Sequence, residues 1–405
     1  MNSYSLVARI LLGLVLVLES ISTANAASPA LTLPFPGGYY LPDAKVLEPG
    51  KFKMEVFASD RDVIAKHGGK GGAVETVKLS QSENDRLSKQ FECNGRCAGL
   101  VHKYQVYSPI AYASWGTAIG PDGSVYLSGN PALTKIPFDH PEQRIVLIPD
   151  RITGYLRSED ENTAEPVYAY AGKRPIVTAQ GKVFLLGEHE LHEVTGPGMI
   201  KKIPLPMIQG KAPDFPPLGI KDITISPAGC ILVPTNVKPV CVDANGKVIP
   251  DFEKLPYSKK RVEQSVLASR IPGSEITYRN NSYATTYGAV LPAGDNIYFY
   301  ALMHQFKFNG KIILSVDKIR ELPLSLYRFR IEQHECDSWT NKCKFQISKP
   351  ELLVKGNGKF LSPVNDLRHP DHNFRQIVVA RNGDVYLLAS YTIYKLTQNK
   401  SSLNQ

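Results

Sequence analysis

Five times along this chain a glycine opens a short apolar and aromatic strand, and a second such strand follows after a turn. The copies are Gly123-Ser124-Val125-Tyr126-Leu127 with Leu133 and Ile136, and Gly181-Lys182-Val183-Phe184-Leu185 with Leu191 and Val194. Next come Gly229-Cys230-Ile231-Leu232-Val233 with Val240 and Val242, and Gly383-Asp384-Val385-Tyr386-Leu387 with Ile393 and Leu396. Gly294-Asp295-Asn296-Ile297-Tyr298-Phe299 is a variant slipped by one residue, its second strand (Leu326-Tyr327-Arg328-Phe329) delayed by an insertion. One such hairpin cannot bury its own two faces, so the copies must stack on one another. Stacked hairpins that close on themselves predict an all-β fold, a β-propeller, with six blades expected within a range of five to seven.

Spacings between the key glycines are uneven, at 58, 48, 65 and 89 residues. The longest holds an insertion from Met303 to Ser325, with a short helix expected at Asp317 to Leu322. Thirty prolines and 31 glycines punctuate the strands, and no long amphipathic helical pattern stands out. We read residues 27–103 as an N-terminal extension supplying a closing strand or a first blade, and 104–398 as the propeller. A sixth blade is expected from Lys51 to Tyr107, with Phe52 to Phe57 pairing to the last blade, because closure removes exposed sheet edges. Residues 62–92 lack the repeat pattern and read as an excursion or a surface helix. Their glycine run, Gly68 to Gly72, fails as a phosphate loop because no strand precedes it and no Lys-Ser/Thr pair follows it.

The amino terminus predicts export. Arg9 precedes the apolar run Ile10 to Leu18, and Ala24-Asn25-Ala26 follows it, the small-x-small pattern cut by a signal peptidase. Residues 1–26 are the expected signal peptide, and periplasm or extracellular space the expected compartment. The run is shorter than the ~20 residues that span a bilayer, and nothing comparable follows, so a membrane-spanning chain is not expected.

Six cysteines form three close pairs, Cys93 with Cys97, Cys230 with Cys241, and Cys336 with Cys343. Six cysteines allow ~15 connectivities. Proximity favours the local pairing: a hairpin turning near Thr235 and Asn236 would set Cys230 opposite Cys241, and Cys336 and Cys343 flank the turn Ser338 to Asn341. Disulfide-stapled hairpins suit an oxidising compartment. No pair has the two-residue spacing of a zinc or thioredoxin-like motif.

The stretch Trp115-Gly116-Thr117-Ala118-Ile119-Gly120-Pro121-Asp122-Gly123-Ser124-Val125-Tyr126-Leu127 resembles the blade motif of NHL-type and gluconolactonase-like propellers. Lys221 to Gly229 and Arg375 to Gly383 look similar. The resemblance spans Tyr104 to Leu396 and implies blade architecture. Gluconolactonase-like enzymes hold a divalent metal in the central channel with carboxylate and asparagine ligands, so the resemblance also implies, as the alternative function, a metal-dependent lactonase or hydrolase. No complete ligand set of that kind is matched in this chain.

In a propeller the innermost strand of each blade begins beside the central channel, and loops at that end build the usual site. Counting seven residues back from each glycine reaches Gly116, Arg174, Asp222, Tyr287 and Gln376; eight back reaches Trp115, Lys173, Lys221, Thr286 and Arg375. A ring of Trp115, Arg174, Asp222, Tyr287 and Arg375 suits an anionic or sugar-like ligand, since arginine forks match carboxylates and aromatic faces stack on flat apolar surfaces. The bland alternative is that these side chains plug the channel and pair with one another.

Two histidine-bearing stretches are weighed for metal. In Glu188-His189-Glu190-Leu191-His192-Glu193 the second histidine comes one position too early for the zinc-protease pattern, and a solvated turn is the expectation. Asp366, His369, Asp371 and His372 fit a loop into the last blade where imidazoles and carboxylates can converge on zinc, although Pro370 equally shapes a polar turn. No Gly-x-Ser-x-Gly elbow occurs. No cofactor is therefore predicted, and a divalent metal, calcium or zinc, is the one candidate; a quinone-dependent dehydrogenase would need a calcium site that is not assigned.

The net charge of +9 survives removal of residues 1–26, because Arg9 and Glu19 cancel. That balance favours acidic partners such as anionic polysaccharide, lipid head groups or an acidic envelope protein. Lys259-Lys260-Arg261 is the one compact basic cluster, and nucleic-acid binding has no motif behind it. The chain thus reads as an exported propeller acting as a binding or interaction module at one mouth of its channel.

Overall fold

The computed structural model describes residues 52–82, 84–85, 100–113, 116–129, 131–150, 152–157, 163–168, 170, 174–178, 180–187, 190–204, 224–225, 231–233, 240–243, 247–249, 275–293, 296–308, 311–312, 324–337, 342–355, 376–380 and 382–398. The expected signal peptide, the Asp317 to Leu322 helix, Lys259-Lys260-Arg261, Cys93, Cys97 and Cys230 lie outside the described residues.

The chain enters through β1 (Phe52–Ser59), α1 (Arg61–Lys66), β2 (Gly72–Lys78), β3 (Leu100–Val106) and α2 (Pro109–Tyr112). Blade 1 follows as β4 (Gly116–Ile119), β5 (Val125–Ser128), β6 (Leu133–Ile136) and β7 (Ile145–Ile148). A hairpin, β8 (Ile152–Arg157) and β9 (Thr163–Tyr168), precedes blade 2, which is β10 (Ile176–Val177), β11 (Val183–Leu186), β12 (Glu190–Gly196) and β13 (Met199–Pro204). Blade 3 holds β14 (Thr224–Ile225), β15 (Ile231–Val233) and β16 (Val240–Val242).

Blade 4 is larger: β17 (Glu275–Tyr278), β18 (Asn281–Ala293), β19 (Asn296–Phe308), β20 (Lys311–Ile312), β21 (Ser325–Asp337), β22 (Lys342–Ile347) and β23 (Glu351–Val354). Blade 5 is β24 (Gln376–Val379), β25 (Val385–Leu388) and β26 (Thr392–Gln398), and β1 pairs antiparallel with β26 as its outer strand.

The recurring glycine has a conformational cause. In blade 1 the Gly123 N–H donates to the Gly120 carbonyl at 3.0 Å, and Gly123 lies at φ 82°. Gly181 and Gly383 repeat the turn at φ 79° and 86°, donating to Thr178 and Ala380. This is a three-residue hairpin loop ending in a left-handed residue, which a side chain disfavours.

Among the described residues, four cores between blades trace the order of the ring. Tyr126, Leu133 and Ile148 of blade 1 pack with Val183 and Leu185 of blade 2, and Phe184, Leu186 and Leu191 of blade 2 pack with Ile231 and Val242 of blade 3. Tyr300, Leu302 and Leu326 of blade 4 pack with Ile377, Val385 and Leu387 of blade 5. Val125, Leu127 and Ile136 of blade 1 pack with Val378, Tyr386 and Leu388 of blade 5. First and last blades are therefore neighbours, and successive residues of one strand feed the cores on its two sides. The fold is a β-propeller.

A buried ionic knot fastens the closing strand. Asp60, directly after β1, accepts from Arg144 Nε at 2.9 Å and Nη2 at 2.6 Å, from Ser108 Oγ at 2.7 Å and from the Ile110 N–H at 3.3 Å. Ser108 Oγ also caps α2 by accepting from the Ala111 N–H.

Three expectations are corrected. Lys51 to Tyr107 does not form a blade of its own: β1 joins blade 5, as expected of Phe52 to Phe57, but β2 and β3 join β9 and β8 in a separate sheet of order β2-β3-β9-β8, in which β3 and β9 run parallel. Five blade-type sheets stand among the described residues. Residues 62–92 lack the blade repeat, as expected, and the largely exposed α1 fits the surface-helix reading, but Gly72–Lys78 is a strand that pairs with β3 along its whole length; the β-branched residues Val74, Thr76 and Val77 suit it. Finally, the blade 3 hairpin sets Leu232, not Cys230, opposite Cys241. In blade 4, Cys336 and Cys343 are direct cross-strand partners.

Candidate functional site

The end of the ring at which the inner strands begin collects the polar features. Gly116 opens β4 opposite Ser128, and Gln376 opens β24 opposite Leu388. Arg174 lies two residues before β10 and is exposed. Tyr287 sits on β18 opposite Leu302, beside a bulge between Thr285 and Tyr287. Trp115, Asp222 and Arg375 lie outside the described residues, as do Asp366, His369, Asp371, His372 and His189. Among the described residues no group of three or more His, Cys, Asp or Glu side chains could hold a metal ion.

Blade 4 departs most from its neighbours here. Beyond the Tyr287–Leu302 pair the β18–β19 ladder continues through Thr285–Met303, Ala284–His304, Tyr283–Gln305 and Ser282–Lys307. β17 pairs along this extension on one side and β20 on the other. At ~3.3 Å per residue the extension is roughly 20 Å of ladder running past the mouth. Residues 275–287 and 303–312 carry Arg279, Lys307 and Lys311 against Glu275 alone, with Tyr278, Tyr283, Phe306 and Phe308. The Arg279 guanidinium lies over the Tyr278 ring at 5.4 Å.

Blade 1 keeps buried hydroxyls at the same end. Thr117 Oγ1, Ser128 Oγ and Thr134 Oγ1 are buried without a hydrogen-bond partner among the described residues. Thr117 and Thr134 share a cross-strand row with Leu127, whose face packs on blade 5. Gly129, in the adjacent turn, is required by close approach: a Cβ there would lie 2.0 Å from the Tyr112 carbonyl oxygen.

Blade 2 contributes a network that sequence reasoning missed. His192 is buried, not in a solvated turn. Its Nε2 lies 2.7 Å from Glu190 Oε1, and its Nδ1 lies 2.5 Å from the Tyr170 hydroxyl. A carboxylate only accepts, so Nε2 donates to Glu190, and in the neutral ring that tautomer leaves Nδ1 to accept from Tyr170. Lys202 Nζ reaches the same Glu190 oxygen at 2.6 Å. Lys202 first and His192 second hold the Glu190 carboxyl below its usual range. Tyr170, remote from the hairpin in sequence, supplies the burial that the local pattern does not reveal. His192 is then fully engaged, with both ring nitrogens bonded.

A second such group is Arg328, buried in β21 with Nε and Nη2 on Glu351 Oε2 at 2.9 and 2.6 Å. Tyr300 and Glu351 are its cross-strand neighbours. Burial pushes the Tyr300 hydroxyl up, opposed by the guanidinium beside it. These groups lie in the body of blade 4, on the far side of the Tyr287–Leu302 pair from the extension.

No family model and no curated protein matches the chain. Among solved structures, virginiamycin B lyase from Staphylococcus aureus aligns at 12% identity, covering 81% of this chain and 100% of that one, with a TM-score of 0.29. YCF48 bound to D1 peptide aligns at 11% identity over 81% of this chain and 97% of that one, with a TM-score of 0.29. The WD40 β-propeller domain of Doa1 aligns at 9% identity over 71% and 79%, with a TM-score of 0.21.

Proposed function

We propose that this propeller is an exported binding module that takes an anionic or sugar-like ligand, free or borne by an envelope component, at the mouth where its inner strands begin. One observation carries the reading: the blade 4 ladder overruns that mouth by four register pairs, adding a wall whose sequence combines three permanent cations and several aromatics with one acid. Cations and aromatic faces together recognise anionic saccharides. Arg174 and Tyr287, at the mouth ends of blades 2 and 4, are the contacts we assign, with Trp115, Asp222 and Arg375 completing the ring by sequence register. Export is supported by Arg9, the Ile10 to Leu18 run and Ala24-Asn25-Ala26.

The test combines ligand titration with elemental analysis of the purified protein. Binding of a sulfated or uronic oligosaccharide that weakens with salt, falls about tenfold in Arg174→Ala, and is indifferent to chelation supports the reading. Stoichiometric calcium or zinc with chelator-sensitive hydrolysis of lactones or esters would replace it with a metal-dependent hydrolase, and would send mutagenesis to Asp222 and to Asp366, His369, Asp371 and His372.

A further inference from the structure

The rim of blade 5 carries a second cationic and aromatic surface at the mouth end of the ring. Gln376, opposite Leu388, marks that end of β24, and the loop between β25 and β26 lies there. The Tyr391 carbonyl in that loop accepts from the Asp60 N–H at 2.9 Å, and Ser59 lies opposite Thr392. Helix α1 therefore starts where the outer strand of the blade reaches the mouth. Residues 61–70 hold Arg61, Lys66 and Lys70 against Asp62, all four exposed, while the acid before them, Asp60, is buried on Arg144. Arg61 Nη2 donates to the Tyr394 hydroxyl at 3.2 Å, which ties the first of these cations to the blade.

An aromatic platform lies among these charges. The exposed His67 ring stacks on Tyr107, 3.7 Å between centroids and 7° between planes. The end of α1 keeps Lys70 next to it, because the Gly69 N–H returns to the Ile64 carbonyl at 2.9 Å and the Lys70 N–H to the His67 carbonyl at 3.4 Å. Flat rings beside ammonium and guanidinium groups suit a sugar face that bears a carboxylate or a sulfate. Blade 5 packs directly against blade 4, so this rim and the blade 4 extension stand at one end of adjacent blades.

We infer, resting on the anionic-saccharide reading of the mouth, that the ligand is a polyanionic saccharide chain that runs from the channel across the end of blade 5 to Arg61, Lys66, His67 and Lys70 at the rim. Distance selects a chain over a single sugar. The sheet order β1-β26-β25-β24 sets three gaps between the inner and outer strands. At about 4.8 Å per gap, roughly 14 Å of blade separates Gln376 at the channel from the start of α1, farther than one sugar ring reaches. A repeating anion meets both cationic surfaces at once, and the second contact is then intramolecular.

Calorimetric titration of the purified protein with galacturonate and with galactose sulfate, each as monosaccharide and as oligosaccharide, tests the track. The oligosaccharide of one series should bind at least about tenfold tighter than its monosaccharide. Lys66→Ala/Lys70→Ala should lose about fivefold in oligosaccharide affinity. Lys182→Ala/Lys349→Ala removes the same charge from exposed positions at the glycine-turn end, and should lose less than about twofold because salt screens charges that far away. Equal affinity for monosaccharide and oligosaccharide, or equal losses in the two lysine pairs, would overturn the track; if Arg174→Ala still weakens binding in that case, the mouth site stands without it. A parent protein that binds none of the four saccharides would overturn the track and the mouth reading together.

Discussion

Asp60→Ala should weaken the whole ring, because the carboxylate it removes joins the closing strand to blade 1. Asp60 is 3% exposed, and the Arg144 side chain 17%. Breaking a buried pair by deleting one partner costs about 3–5 kcal/mol, since the other charge stays desolvated. Arg144 Nη1 retains the Pro141 and Gln143 carbonyls at 2.6 and 2.8 Å, which places the expected loss near the lower end, about 3 kcal/mol. Ser108 loses its acceptor as well, worth about 1 kcal/mol. In urea denaturation followed by circular dichroism, Asp60→Ala should lose about 3–4 kcal/mol and Arg144→Ala about 2–3, with a coupling near 2 kcal/mol in the double variant. Additivity to within about 0.5 kcal/mol would refute the claim that this pair fastens the closing strand.

Four further outcomes are expected. Burial raises the Asp150 carboxyl to about 6 despite the Ala132 backbone hydrogen bond, so the folded state holds a proton that the unfolded state releases. Stability should fall as pH rises from about 4 to about 6, and Asp150→Asn should melt above the parent at pH 7 but with it near pH 4; parallel pH profiles of the two melting temperatures would contradict this. Gly129→Ala forces a Cβ against the Tyr112 backbone and should cost at least about 2 kcal/mol in thermal denaturation, more than Gly198→Ala, where no atom lies within 4 Å and the left-handed φ of 72° alone costs about 1 kcal/mol. Tyr170→Phe leaves His192 Nδ1 buried without its donor and should cost about 1–2 kcal/mol by urea titration. Lys182→Asp should lose a few tenths of a kcal/mol, and Lys182→Asp/Glu193→Lys should not recover it, because Lys201, 3.6 Å from Glu193 on the neighbouring strand, would face the new lysine.

Much of the ring was legible because its signal is local. A hairpin loop needing a left-handed residue demands glycine, and alternation along a strand between two cores demands apolar residues on both faces, as in Val125-Tyr126-Leu127-Ser128, all buried. The blade 2 and blade 5 ion pairs leave a trace as well, since Lys182 and Glu193 stand eleven residues apart, as do Asp384 and Lys395. Arg328 and His192 gave no such sign. A strand reading Leu326-Tyr327-Arg328-Phe329 does not announce that Glu351 will neutralise the arginine inside the wall, and Glu190-Leu191-His192 does not announce Tyr170.

From the sequence alone, then, came the all-β class, the repeating hairpin and, in blades 1 and 5, the residue that opens the inner strand, since each depends on residues within a few positions of one another. Only the tertiary structure decided that β2 and β3 leave the ring to pair with β9 and β8, that β18 and β19 overrun the mouth, and that Asp60 finds Arg144. Those outcomes depend on which distant segments meet, and the free energy of a meeting lies in the partner's surface as much as in the residue's own identity.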